Sequence, residues 1–482
     1  MDRSTGSARD RIPDPDAAGQ AEFAADACPG ALDRSATELG PLMPYQPVDV
    51  IEVRCWGSRV GAVALDERSG FYVFEYERAW ANSGVELAPM TMPTTGPAQF
   101  FLFPTLSPNT YHRLPSMVAD SLPDDFGNAL TTAYLANEGL TAGQITALDR
   151  LAYLGTRGIG ALEFRPLRGP RTRKATAIEL SELVVAARIA LSERITSKDG
   201  LTDAISHLIA VGTSAGGARA KAVVALNSET GELRSGQVPA DPGFEQWILK
   251  LDGVGADLDL GASGHFGRIE YGYYLMATVA GIEMMECRLL EEGGRAHFMT
   301  RRFDRVPGGE KVHVQTLCAM AHLDFRQIGA HDYAQLFLHI EQLRLGPEAR
   351  AEAFRRMVFN VAVANCDDHT KNFSFLLPQG GRWRLSPAYD ITYAHAPDSQ
   401  WTRQHLMAVN GRTTGITRSD VRDVGDRFAV PGAFDIIEQV LEAVSKWSTF
   451  ADQAGVPAAT ADHISRDIEV WSSPLRKQVE KP

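Results

Sequence analysis

Asp367 and Asn372 stand five residues apart in Asn365-Cys-Asp-Asp-His-Thr-Lys-Asn372, between an apolar helix-like stretch and the strand-like Phe373-Ser-Phe-Leu-Leu377. An aspartate and an asparagine at this spacing match the D-x-x-x-x-N loop of protein kinases, where the carboxylate orients or deprotonates the attacking hydroxyl and the amide holds Mg²⁺. Eighteen residues further on, Asp390 in Leu385-Ser-Pro-Ala-Tyr-Asp390-Ile supplies a carboxylate where a second metal ligand is needed. These residue types point to phosphoryl transfer, whose catalysis is largely positioning and neutralisation of an anionic phosphate.

That chemistry requires a cation upstream. Lys250 in Gln246-Trp-Ile-Leu-Lys250-Leu fits, because an ammonium on an otherwise apolar strand is costly to place without a task. Further upstream, Gly212-Thr213-Ser214-Ala215-Gly216-Gly217-Ala218-Arg219-Ala220-Lys221 can wrap phosphates with backbone N–H groups. Each piece alone has an ordinary explanation: a chance D-x-x-x-x-N match, a lysine snorkelling from a strand end, and a glycine turn without the G-K-[ST] ending of a Walker loop. Their order along the chain, glycine loop, strand lysine, helix glutamate, Asp/Asn loop, aspartate, makes the joint case.

Ordinary protein kinases carry His-Arg where this chain has Asn365-Cys366, and Asp-Phe-Gly where it has Tyr389-Asp390-Ile391. The chain resembles instead the HipA family, the serine/threonine kinase toxins of bacterial toxin-antitoxin modules. The resemblance rests on Ser214 to Lys221, Trp247-Ile-Leu-Lys250, Arg302-Phe303-Asp304-Arg305, Asn365 to Ser374 and Pro387-Ala-Tyr-Asp390, and extends through Leu122-Pro123-Asp124 and Gly158-Ile-Gly160-Ala-Leu162. It implies an α+β, bilobed kinase-like fold. It also implies Asp367 as catalytic base, His369 as support for the loop, Asn372 and Asp390 as Mg²⁺ ligands, and Lys250 on the ATP phosphates. Glu270 would pair with Lys250, and Arg301 to Phe303 would form the hinge whose backbone holds adenine. Residues Ser214, Ala215, Gly216, Gly217, Ala218, Arg219 and Lys221 would complete the ATP site. Ser214 would be autophosphorylated, with Thr213 beside it as the other candidate. A phosphoserine there adds about −1.5 to −2 charge where ATP phosphates belong, which should expel the loop and silence the enzyme.

The implied partners are a protein substrate such as an aminoacyl-tRNA synthetase and a HipB-type helix-turn-helix antitoxin, through which alone DNA would be reached. Two readings of other classes stay open: a small-molecule or lipid phosphotransferase with the same ATP machinery, and an antitoxin-bound transcriptional co-regulator. Retention of Lys250, Asp367, Asn372 and Asp390 together argues against a dead enzyme. Gly155-Thr-Arg-Gly158-Ile-Gly160 is read as turns, since it lacks the G-x-G-x-x-G order of a dinucleotide fingerprint.

The surrounding sequence must position these groups. Its 482 residues leave room for roughly three domains, and 48 Lys plus Arg against 60 Asp plus Glu give a net charge of −12, which disfavours direct phosphate-neutralising contact with nucleic acid. Five scattered cysteines without a C-x-x-C pair suit a reducing compartment. The uncharged run from Tyr271 to Ile282 falls far short of the roughly 20 apolar residues of a membrane span, so a cytoplasmic protein without membrane contact is expected.

Residues 1–47 have too few large apolar side chains to offset ordering and are expected to form a disordered tail. Alternating runs at Val48–Trp56, Val60–Leu65 and Phe71–Tyr76 predict an antiparallel β unit within a β-rich subdomain over 48–165. A nucleotide lobe is expected over 166–305, with strands at Lys221–Leu226, Gln246–Leu251 and Phe298–Phe303 and a helix at Arg268–Ala280. A helical lobe should follow over 306–482, led by Phe354, Met357, Val358, Val361 and Ala364 at helical spacing and by a second helix from Phe434 to Trp447.

Overall fold

The computed structural model describes residues 46–96, 100–123, 125–169, 178–191, 220–237, 240–252, 264–306 and 309–477. The tail and the glycine-rich stretch with Thr213, Ser214, Ala215, Gly216, Gly217, Ala218 and Arg219 lie outside the described residues.

The first sheet follows from period-two alternation. Strands β1 (Val50–Cys55), β2 (Ser58–Asp66) and β3 (Phe71–Tyr76) form an antiparallel meander, with Ile51, Val53 and Cys55 buried on one face of β1. Trp56 and Gly57 both take positive φ in the two-residue turn between β1 and β2, the condition that matches a tight hairpin to strand twist. With β4 (Phe100–Phe101) and β5 (Leu162–Arg165) the strand order is β4-β3-β2-β1-β5. The helix Ala147–Leu154 begins at a reciprocal cap, in which Thr146 and Asp149 satisfy each other's backbone N–H groups.

A second five-stranded sheet carries the lysines. Its strands β6 (Lys221–Asn227), β7 (Leu233–Ser235), β8 (Phe244–Lys250), β9 (Cys287–Glu292) and β10 (Arg295–Arg301) lie in the order β7-β6-β8-β10-β9. The sequence reading anticipated β6, β8 and β10 but not β7 or β9, which are the two edges. Edge strands carry polar residues instead of an apolar run, as Glu291 and Glu292 do in β9. Gly293 and Gly294, both at positive φ between Glu292 and Arg295, are the hairpin signal that would have found β9.

The helix Phe266–Val279 packs against this sheet, close to the expected span. Gly267 makes the approach possible: a Cβ there would stand 2.0 Å from the carbonyl oxygen of Ala296 on β10.

Beyond Asp304 the chain is mainly helical. The helix Pro347–Ala362 runs through the largest apolar core, burying Ala353, Phe354, Met357, Val358 and Val361 as its spacing predicts. The expected helix from Phe434 to Trp447 is two helices, Ala433–Val444 and Trp447–Gln453. Its buried stripe is Ile436, Ile437, Val440, Leu441 and Val444; Phe434 lies outside that stripe, mostly in solvent beneath the Arg418 guanidinium. Short strands β11 (His313–Thr316), β13 (Ser374–Leu377) and β14 (Arg384–Leu385) form a small sheet, and β12 (His331–Asp332) pairs in parallel with β15 (Met407–Ala408).

Candidate active site

Lys250 closes β8, where its register partners are Lys221 on β6 and Phe298 on β10. Its buried ammonium bonds both to Glu270, on the helix Phe266–Val279, and to Asp390. Burial alone would lower the Lys250 pKa, but Asp390 and Glu270 outweigh it and raise the pKa above its ordinary value. Lys221, also buried, stands 3.6 Å from the other carboxylate oxygen of Asp390. Burial works against the Asp390 charge in turn, yet the two lysines hold its carboxyl well below the usual carboxylate range. Asp390 adopts φ 53°, a left-handed backbone uncommon for a residue with a side chain.

Asp367 and Asn372 lie on the loop that follows the helix Pro347–Ala362. Asn372 donates its amide N–H to the Asp367 carbonyl at 2.7 Å, which leaves the amide oxygen as its acceptor group. Asn372 and Asp390 line one small cavity together with Arg356, Asn360, Asn365 and Asp368. The Asp367 side chain is half-buried, and burial raises its pKa, opposed by His369 and by a hydrogen bond from Trp401. That bond runs from the indole N–H to Oδ1 at 2.6 Å, while His369 Nε2 stands 3.8 Å from the same oxygen.

The neighbouring Asp368 fixes the loop. Its fully buried carboxylate accepts from the Tyr333 hydroxyl at 2.8 Å, from His405 Nδ1 at 2.9 Å and from the Leu406 N–H at 2.8 Å. Asn360 donates to the same Tyr333 oxygen and accepts from Asn365, so the loop is tied to the helix before it. The sequence reading missed Asp368, Tyr333, Trp401 and His405. Asp368 carried a legible signal, a second carboxylate beside Asp367 that needs a structural reason to exist; the other three are distant in sequence, and Tyr333 and His405 meet Asp368, and Trp401 meets Asp367, only in the fold.

The hinge candidates are held more tightly than expected. The Arg301 N–H donates to Glu286 and the Arg302 N–H to Gln246, so two of the segment's three backbone donors are engaged within the protein. The Arg301 guanidinium pairs with Glu245, and the Phe303 ring lies 5.6 Å from that of Tyr389. Asp304 is buried between Arg302 and Arg305 and also accepts the Gly160 N–H at 2.7 Å. Arg305 donates to the Gly158 and Gly160 carbonyls, so the glycine turn of the first sheet clamps the end of this segment.

Comparison with known proteins matches the HipA-like C-terminal domain over residues 213–469 and the HipA N-terminal domain over residues 51–165. The chain belongs to the HipA family. Over 257 residues this HipA-family chain is 29% identical to the Sinorhizobium fredii protein Y4dM, which is named as a kinase on a provisional basis; the match covers 47% of this chain and spans 58% of that relative's length. In fold it is similar to a chain of the Shewanella oneidensis HipA, HipB and operator DNA complex, with a TM-score of 0.62 at 17% identity, covering 88% of this chain and 98% of that one. A Helicobacter pylori proinflammatory kinase, CtkA, aligns with a TM-score of 0.33 at 12% identity over 48% of this chain and 87% of its own, too slight a likeness to carry an argument. The HipA-family chain thus has the kinase-like fold of its family, β-rich at the N-terminal side and helical at the C-terminal side. Among the described residues no helix is long and apolar enough to cross a membrane.

Proposed function

We propose that this HipA-family chain is an ATP- and Mg²⁺-dependent serine/threonine protein kinase of toxin type. The observation that carries the reading is the convergence of Lys250 on both Glu270 and Asp390, a strand, a helix and a distant loop meeting at one ammonium. Structural ion pairs also bury charge, but a lysine that shares a cleft with an Asp/Asn loop has the parts phosphoryl transfer requires.

In this reading Lys250 and Lys221 bind and orient the ATP phosphates. Asp367 takes the proton of the acceptor hydroxyl as its oxygen bonds to the γ-phosphorus and the bond to the β-phosphate oxygen breaks, releasing ADP. Asn372 and Asp390 offer amide and carboxylate oxygens, the hard donors that Mg²⁺ takes, and they line one cavity. Bound there, Mg²⁺ would neutralise phosphate charge. His369 steadies the Asp367 carboxylate. With the Arg301 and Arg302 N–H groups engaged, adenine would be met by the Phe303 N–H and the hinge carbonyls. Residues Ser214 to Arg219 would cover the phosphates, with Ser214 as the autophosphorylated, self-silencing position.

The substrate proposed from the family is a translation component such as an aminoacyl-tRNA synthetase, modified to arrest growth. A HipB-type antitoxin is the proposed partner, supported by the Shewanella oneidensis complex, whose HipA is crystallised with HipB and operator DNA. An acidic chain of net charge −12 suits DNA contact through such a partner.

Intact-mass and site-mapping mass spectrometry after incubation with Mg-ATP tests the proposal, run beside Asp367→Ala and Asp390→Asn. One added phosphate on Ser214 in the wild type, absent from both variants, is the expected result. ATP binding without phosphate on any sample, from unphosphorylated starting protein, would overturn the kinase reading in favour of a small-molecule phosphotransferase or a regulatory binding protein.

A further inference from the structure

Among the described residues the indole of Trp401 donates a hydrogen bond to the proposed base, and it comes from a segment that the D-x-x-x-x-N motif does not include. An indole N–H can only donate, so the bond has one direction, and a donor on a charged carboxylate is among the stronger hydrogen bonds. Both Trp401 and His369 approach Oδ1, which leaves Oδ2 as the Asp367 oxygen for an incoming hydroxyl.

Trp401 is itself held in place. Ser399 Oγ accepts the N–H groups of Trp401 and Thr402 at 3.1 and 3.2 Å, and the Ala396 N–H donates to the Thr402 carbonyl. The ends of the segment are pinned as well, by the backbone pairing of Ala394 with Ala364 and Cys366 and by His405 on Asp368. The indole ring packs at 6.3 Å from Phe325 and 6.4 Å from His369, and those two rings are 5.2 Å apart. Three aromatic rings thus stand around one side of Asp367.

We propose that Trp401 is a positioning residue for the acceptor, its N–H fixing the Asp367 carboxylate so that Oδ2 meets the hydroxyl and its ring, with Phe325 and His369, walling the acceptor side of the cleft. The inference rests on the kinase reading. It assigns to the segment after Asp390 a task on the acceptor and none on ATP.

The test uses the full chain with Mg-ATP and measures the initial rate of phosphate incorporation at varied ATP, with ATP affinity and melting temperature followed in parallel. Trp401→Phe keeps a ring and loses the donor; Trp401→His keeps a ring that can donate; Trp401→Leu loses both. The expected pattern is a kcat lowered about tenfold in Trp401→Phe with the KM for ATP unchanged, partial recovery in Trp401→His and a further loss in Trp401→Leu. A Trp401→Phe rate equal to wild type overturns the proposal, and so does a loss in which kcat, ATP affinity and melting temperature fall together or in which Trp401→His is no better than Trp401→Leu. A wild type that binds ATP and incorporates no phosphate sinks the kinase reading itself, and the acceptor role with it.

Discussion

Lys221 lies directly opposite Lys250 across the β6–β8 ladder, and both buried ammonium groups converge on Asp390. Two like charges side by side in a sheet are tolerated only where carboxylates offset them. Asp390 is therefore the counter-charge that the two lysines share.

Replacing Asp390 with Asn removes the carboxylate that the two buried lysines share. Phosphate incorporation should fall by about a thousandfold or more, and the melting temperature should drop by several degrees, corresponding to a loss on the order of 3 kcal/mol. Mass spectrometry and differential scanning calorimetry on the same sample check both halves. Unchanged thermal stability would show that the lysines find other partners.

Asp304 gives a pH signature. Burial would raise its pKa, but Arg302 and Arg305 hold its carboxyl well below the usual range. A folded-state pKa below the unfolded value of about 4 stabilises the protein above that pH and is lost as pH falls below it. Urea denaturation of the wild type between pH 6 and pH 3 should therefore show a falling stability to which Asp304→Asn contributes a shallower slope. At neutral pH the same variant should be less stable by about 3 kcal/mol, since it strips the carboxylate from two buried guanidinium groups.

Gly267→Ala probes the helix that brings Glu270 to Lys250. The added methyl would meet the Ala296 carbonyl at 2.0 Å, so the helix must move outward. Overpacking of this kind costs about 1–3 kcal/mol, and a shift of the first helical turn moves Glu270 with it. Calorimetry should report the stability loss and the phosphate assay a larger fractional loss than stability alone explains.

Tyr333→Phe removes one donor from the buried Asp368 carboxylate and one acceptor from Asn360. The expected cost is about 1–3 kcal/mol, read as a lower urea midpoint with an unchanged m-value. An m-value that also falls would mean that the loop is already open in the native state of the variant.

The sequence was informative where a residue carried its own chemistry. Lys250, Asp367, Asn372 and Asp390 were legible because a buried ammonium, an Asp/Asn spacing and an isolated carboxylate each ask for a reason, and the structure gathers Lys250 with Asp390 and Asn372 with Asp367. Strands β1, β2 and β3 of the first sheet were legible because apolar residues alternate along them, whereas β4 and β5, of two and four residues, are too short to show a period. Trp401, Tyr333 and His405 were not, since an aromatic or histidine in the C-terminal half reads as core until tertiary contact reveals what its polar atom touches. The edge strands β7 and β9 were missed because their pairing on one side only leaves no period in the residues.

Asp304 counts the Gly160 amide among its partners, and Arg305 takes the Gly158 and Gly160 carbonyls. The peptide that leaves β10 is thus bolted from outside by a sheet to which it does not belong. A peptide gripped on its outer side cannot bend freely at that point, so displacing it would break its bonds to Gly158 and Gly160. The β-rich N-terminal part thus sets, through these bonds, where the end of the lysine-bearing sheet sits.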